Sequence, residues 1–231
     1  MSTLEEILAP QIDLTIDGLK RKRFTPDPIS GKHYSKITSV ISSACKRHGY
    51  ILERAILEQL KTCFRFEVWE DKVFHVTDTA EHIVDTLFGT PDRAMQTTTD
   101  YSQQGHRTLQ LDAIVYDRER KTLGAYEIKR GAGLHDSGKR RSILRDLLCT
   151  QVLLKSYGVQ RGLEVAEAAS RVIFYYGKCS IKKPFCLTAQ ELDDHFGWPV
   201  RDAVEHLNEY YRKKLFDLLL NFNAPGQASN G

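Results

Sequence analysis

Between Leu109 and Lys129 apolar and polar positions alternate with a period of two, twice in succession. Leu109, Leu111, Ala113 and Val115 alternate with Gln110, Asp112, Ile114 and Tyr116. Leu123, Ala125, Glu127 and Lys129 then share one face, and Gly124, Tyr126 and Ile128 the other, so two strands are predicted. The charged segment Arg118-Glu119-Arg120-Lys121 between them predicts a hairpin. Val172-Ile173-Phe174-Tyr175-Tyr176 is a continuous apolar run, suited to a strand covered on both faces. Phe64–Val76 predicts either one strand or a hairpin turning at Glu70-Asp71. Elsewhere the spacing is helical: a long helix from Ser35 to Lys61 and another over residues 142–157. A short helix is expected to be capped by Asp78, with Glu81 completing a capping box and Gly89 stopping it. Residues 187–222 predict a helical tail, in which Thr188 and Glu191 form a capping box and Pro199 begins a longer helix.

Residues 1–35 read as an extension ending in a linker with Pro26, Pro28 and Gly31, residues 36–186 as the core, and residues 187–231 as a helical extension with a disordered tail. Thr90–Arg107 is polar and predicts a loop; its Pro91-Asp92 has no apolar strand around it. No apolar run has the length of a membrane span and the start does not resemble a secretory signal, so a cytoplasmic protein is expected. The five cysteines, an odd number without a C-x-x-C pair, argue against a disulfide framework. Cys179, Cys186 and His195 lack convincing zinc spacing, and buried thiols are the commoner outcome. A net charge of +3 is too small to identify a nucleic-acid binder, so clustering matters more. One basic cluster is Lys20-Arg21-Lys22-Arg23; the other follows Lys129.

The hairpin register makes the acidic positions informative. With the turn centred between Glu119 and Arg120, Asp112 lies opposite Glu127, and opposed Cβ atoms stand roughly 4.5–5.5 Å apart. A four-residue loop over 118–121 keeps that register without the Asn or Gly that a two-residue turn prefers. Two carboxylates so close, beside apolar neighbours, call for positive charge. Lys129 supplies part of it, and Mg²⁺ or Mn²⁺ suits the remainder.

An Asp on an apolar strand, a hairpin, Glu127-Ile128-Lys129 on the next strand, then a basic glycine loop and a helix together resemble the PD-(D/E)XK nuclease superfamily, which includes restriction endonucleases and Holliday-junction resolvases. The resemblance implies an α/β core with a mixed sheet flanked by helices in the order α-β-β-β-α-β. It also implies a helix-borne acidic residue, often four positions after a glycine. Gly49-Tyr50-Ile51-Leu52-Glu53 fits, and on a helical wheel Glu53 falls near Ile56, Leu57 and Leu60, whereas Glu58 falls with Arg54 and Lys61 on the solvated side. By similarity, Asp112, Glu127, the Ile128 backbone carbonyl and Glu53 would hold Mg²⁺, and Lys129 would position the attacking water. Arg130, Lys139, Arg140, Arg141 and Arg145 would meet the phosphate backbone. Gln151 resembles a glutamine of some exonuclease branches.

The expected activity is therefore metal-dependent hydrolysis of phosphodiester bonds in duplex or branched DNA, as an endonuclease of restriction, repair, recombination or mobile-element defence. Symmetric cutting would call for a homodimer. No nucleotide-binding glycine motif is present, so no ATP dependence is expected. The alternative is a catalytically inactive module of the same fold that binds nucleic acid or a protein partner.

Overall fold

The two alternating runs become the centre of a five-stranded sheet with strand order β1-β2-β3-β4-β5. Its strands are Phe66–Val76 (β1), Arg107–Asp117 (β2), Thr122–Lys129 (β3), Glu167–Phe174 (β4) and Cys186–Thr188 (β5). The helices are Leu4–Arg21 (α1), Gly31–Lys61 (α2), Asp78–Leu87 (α3), Pro91–Met95 (α4), Ser137–Gln160 (α5), Leu192–Phe196 (α6) and Arg201–Asn223 (α7). The computed structural model describes residues 3–131 and 135–223. The expected disordered tail after residue 223 lies outside the described residues.

The chain packs as two units, Met1–Gln59 with Val200–Gly231, and Leu60–Pro199. This division does not coincide with the expected boundaries after residues 35 and 186. The N-terminal extension contains an 18-residue helix whose Leu4, Leu8, Ile12, Ile16 and Leu19 are buried. That helix packs on α7, and its start carries both limbs of a Thr3/Glu6 capping box. In the same unit the Tyr211 hydroxyl donates to the Ala44 carbonyl at 2.9 Å, and His48 Nε2 meets Asn208 Oδ1 at 3.0 Å. These bonds satisfy polar groups that burial would otherwise penalise.

In the sheet unit, β1, β2 and β3 form an antiparallel meander, and β4 and β5 run parallel to β3. A parallel neighbour needs a long crossover, and α5 supplies it between β3 and β4. Leu148, Cys149, Val152, Leu153 and Leu154 of α5 are fully enclosed against Phe74, Ile114, Leu123, Val172 and Phe174. Each such aliphatic side chain contributes roughly 1.5–3 kcal/mol on leaving water. The architecture is thus α/β, a mixed open sheet with flanking helices.

Of the two alternatives for Phe64–Val76, the structure shows the single strand, Phe66–Val76, with register shifts. Three local expectations change. Asp78 is the first residue of α3; Thr77 is its cap, accepting from the Ala80 N–H, and Glu81 is engaged elsewhere. Pro91-Asp92 opens the short helix α4 inside the expected loop. Helix α5 begins at Ser137, not at 142, with Asp136 accepting from the Lys139 N–H. The capping box at Thr188 and Glu191 is present, on a 3-10 turn, Ala189–Glu191. No helix among the described residues is long and apolar enough to cross a membrane.

Candidate acidic site at the end of the central hairpin

The hairpin closes as the charge pattern predicts. Residues 118–121 form the loop, Lys121 takes a positive φ of 53°, and Asp117 Oδ1 accepts from the Glu119 and Arg120 N–H groups at 3.0 and 3.1 Å. The ladder runs from Asp117↔Thr122 to Ala113↔Tyr126 and ends there, one step short of the expected Asp112–Glu127 pair.

At that step the sheet is irregular. Trp69 and Asp71, two residues apart on β1, pair with Ile114 and Leu111, three apart on β2. The extra residue of β2 therefore falls at Asp112–Ala113, a β-bulge of the kind that re-aims a side chain. Asp112 Oδ2 accepts from the Ile128 backbone N–H at 2.7 Å. The carboxylate thus takes a place that a backbone carbonyl would fill in an unbroken ladder. The contact that Ile128 makes here is through its N–H, not the carbonyl expected as a ligand.

Glu127 and Lys129 stand two residues apart on β3, and Lys129 Nζ lies 2.5 Å from Glu127 Oε1. Burial pushes the Asp112 carboxyl above its ordinary value; the Ile128 N–H and Lys129 pull it down, and the charges of Glu127 and Glu70 push it up. Asp112, Glu127 and Lys129 therefore share one electrostatic environment. Glu70 was not anticipated. Its position between Trp69 and Asp71 sets it opposite the bulge, whereas the sequence alone gives it the look of a turn acid.

The remaining candidates divide. Glu53 lies on α2 in the helical unit, half-buried among Leu52, Ile56 and Leu57. Glu58, expected on the solvated side, is only 15% exposed and pairs with Arg54 at 2.8 Å. The Arg130 guanidinium sits over the Tyr176 ring, 5.3 Å from its centroid. Residues 132–134 of the glycine loop lie outside the described residues. Lys139, Arg140 and Arg141 are exposed on the first turns of α5, with Arg141 over the Phe88 ring at 5.2 Å. Arg145 is committed to the fold: it pairs with Glu81 at 2.8 Å and Asp85 at 3.1 Å, which hold its pKa above the usual arginine value. Gln151 is also structural, its amide bonded to the Met95 and Ala168 carbonyls and the Ser170 N–H. Arg145 and Gln151 thus leave the candidate site.

The donor set suits a hard divalent cation. A desolvated carboxyl in the field of two further carboxylates faces one lysine, and every potential ligand is oxygen. Among the described residues no group of three or more His, Cys, Asp or Glu side chains could hold a metal. Two carboxylates with water and substrate oxygens are, however, a common way of binding Mg²⁺. No family model matches the chain, and no curated protein or solved structure matches it.

Proposed function

We propose that the chain is a metal-dependent phosphodiesterase acting on DNA, with the site of a PD-(D/E)XK nuclease. The observation that carries this reading is the half-buried Asp112 carboxylate, held by the Ile128 N–H where the β2–β3 ladder gives way and standing in the electrostatic field of the Glu127–Lys129 pair. Asp112 and Glu127 are the residues that would hold Mg²⁺ or Mn²⁺. A bound ion would supply Lewis acidity toward water and a phosphate oxygen.

The chain's own residues have separable tasks. The Ile128 N–H fixes one oxygen of Asp112, leaving the other to bind. Lys129 would supply a positively charged hydrogen-bond donor to an oxygen on the phosphate. Lys139, Arg140 and Arg141 carry exposed charge at the start of α5, where the N–H groups of the first turn also favour anions. A homodimer cutting both strands, and a role in restriction, repair, recombination or mobile-element defence, belong to the same proposal.

The test is cleavage of linear, supercoiled, branched and single-stranded DNA, and of RNA, with Mg²⁺ or Mn²⁺. Asp112→Asn and Lys129→Gln should each lower the rate by about a hundredfold or more. Full activity in either variant would refute the mechanism. A second reading, binding without cleavage, draws on the 2.5 Å Lys129–Glu127 pair, which already balances both charges. It requires DNA binding without any calorimetric Mn²⁺ binding that depends on Asp112 and Glu127.

A further inference from the structure

The sheet face turned away from α5 carries a concavity that the acidic site does not use. Its floor consists of three cross-strand rows: Asp117, Thr122 and Glu167; Val115, Gly124 and Ala169; Ala113, Tyr126 and Arg171. Gly124 and Ala169 in the middle row leave the floor low, and Phe66, His195 and Phe196 form walls around a cavity of about 300 Å³.

Glycine at 124 is required by its neighbour. A Cβ there would lie 2.4 Å from the Tyr126 hydroxyl oxygen, so only a bare backbone lets that phenol lie back along the strand. The hydroxyl then meets His195 Nε2 at 2.8 Å. Arg171, the cross-strand partner of Tyr126, sets its positive charge beside that phenol. The Tyr126 and Phe196 rings pack at 5.3 Å between centroids, which fixes one wall.

Two arginines, Arg120 and Arg171, and two acids, Asp117 and Glu167, line the cavity; the acids share the end row with Thr122, and Arg171 stands two rows away beside Tyr126. Asp117 is largely taken up, lying 3.3 Å from Arg65 Nε and 3.9 Å from Arg120 Nε. Glu167 is exposed. His195 is neutral at neutral pH: burial, then Arg171 and Arg120, push it down to about 4, with Lys183 acting the same way and Glu191 opposing. Two guanidiniums, a phenol, an imidazole and the Thr122 hydroxyl thus line a space, with Asp117 and Glu167 at one end and small aliphatic residues and two phenylalanines making up the rest.

We propose that this cavity binds a compact organic anion, a carboxylate or phosphate monoester carried on a planar ring, with Arg171 and Arg120 taking the charge and Phe66 and Phe196 flanking the ring. The site is separate from Asp112 and does not depend on the nuclease reading.

Calorimetry on the full chain would use phenyl phosphate, benzoate, inorganic phosphate and phenol. Phenyl phosphate or benzoate should bind at least about tenfold more tightly than phosphate or phenol, and the better of the two identifies the head group. Arg171→Gln or Arg120→Gln should weaken that binding about tenfold or more, and Asp112→Asn should leave it unchanged. Arg120 lies on the hairpin loop, so its variant remains informative if Arg171→Gln does not fold. No binding at millimolar concentration, phenol binding as well as the anions, or full affinity in every folded arginine variant would overturn the proposal. Loss of binding in Asp112→Asn would overturn the separateness of the site.

Discussion

Gln151→Leu should destabilise the protein by about 3 kcal/mol, because Gln151 acts as a substitute strand. β5 pairs only with Val172–Phe174, so the earlier part of β4 has no strand beyond it. Gln151, 3% exposed, fills that gap: Oε1 accepts from the Ser170 N–H at 2.8 Å, and Nε2 donates to the Ala168 carbonyl at 3.0 Å. One side-chain amide thus serves the two groups that a peptide unit of a neighbouring strand would serve. Leucine preserves the volume but leaves both backbone groups unpaired in a dry interior, at about 1–3 kcal/mol each. The 3.3 Å bond to Met95 adds little, and about 1 kcal/mol returns through the apolar side chain. Urea denaturation followed by circular dichroism measures the change; the melting temperature should fall by roughly 6–12 °C. Gln151→Glu should be similarly damaging at neutral pH and recover partly in acid, where the protonated carboxyl can donate to Ala168. A loss below about 0.5 kcal/mol in Gln151→Leu would refute the substitute-strand argument.

The basic residues near α5 should separate by task. Arg140→Ala should reduce the slope of log DNA affinity against log salt by about one. Arg145→Ala should leave that slope unchanged while costing about 1–2 kcal/mol, since it removes one of two guanidiniums from Glu81, itself only 18% exposed; a reduced slope there would return Arg145 to the DNA surface. His195 gives the pH dependence: its folded pKa of about 4 lies below the ordinary 6.5, so the unfolded chain binds the proton first. Its contribution is complete above pH 6.5 and is lost as pH falls toward 4, at up to roughly 1.4 kcal/mol per pH unit. His195→Gln should flatten that limb of the stability curve, and an unchanged limb would show that His195 is protonated in the fold.

The β2–β3 hairpin was legible because four charged residues interrupt two apolar runs and so mark the turn, although both faces of these strands are largely buried. Helix α5 was read too short for a different reason. It packs against the sheet and also against α3 and α4, so its buried positions run almost unbroken from Leu147 to Leu154 and its amphipathic signal is weak. Its true start depends on Asp136 as a cap after a glycine loop, a polar signal within a basic run. Gln151 and Arg145 could not be assigned from their residue types, because their roles depend on Ser170 and Ala168 on β4 and on Glu81 and Asp85 on α3. The α1 helix was obscured by Pro10 within it. The cavity around Tyr126 joins residues from four strands, the hairpin loop and α6, and only the sheet register brings them together.

The two slips between β1 and β2 explain why a carboxylate can occupy the interior of this sheet. The first adds a residue to β2 at Asp112–Ala113; the second adds one to β1 at Lys72–Val73 and restores the pairing at Phe74↔Leu109. Between them the ladder is released on both sides of Asp112, and its carboxylate replaces a missing acceptor for Ile128. The hydrogen bond and the charge can therefore be separated. Asp112→Asn keeps an acceptor for the N–H and removes a charge that burial disfavours, as the raised carboxyl pKa indicates. Its stability should equal or exceed the parent's at neutral pH. Asp112→Leu leaves the Ile128 N–H unpaired and should cost about 1–3 kcal/mol. If Asp112→Asn were as destabilising as Asp112→Leu in denaturant titrations, the charge would be holding the strand end through its pairing with Lys129, and the carboxylate would be a structural ion-pair member with no surplus charge to offer a metal.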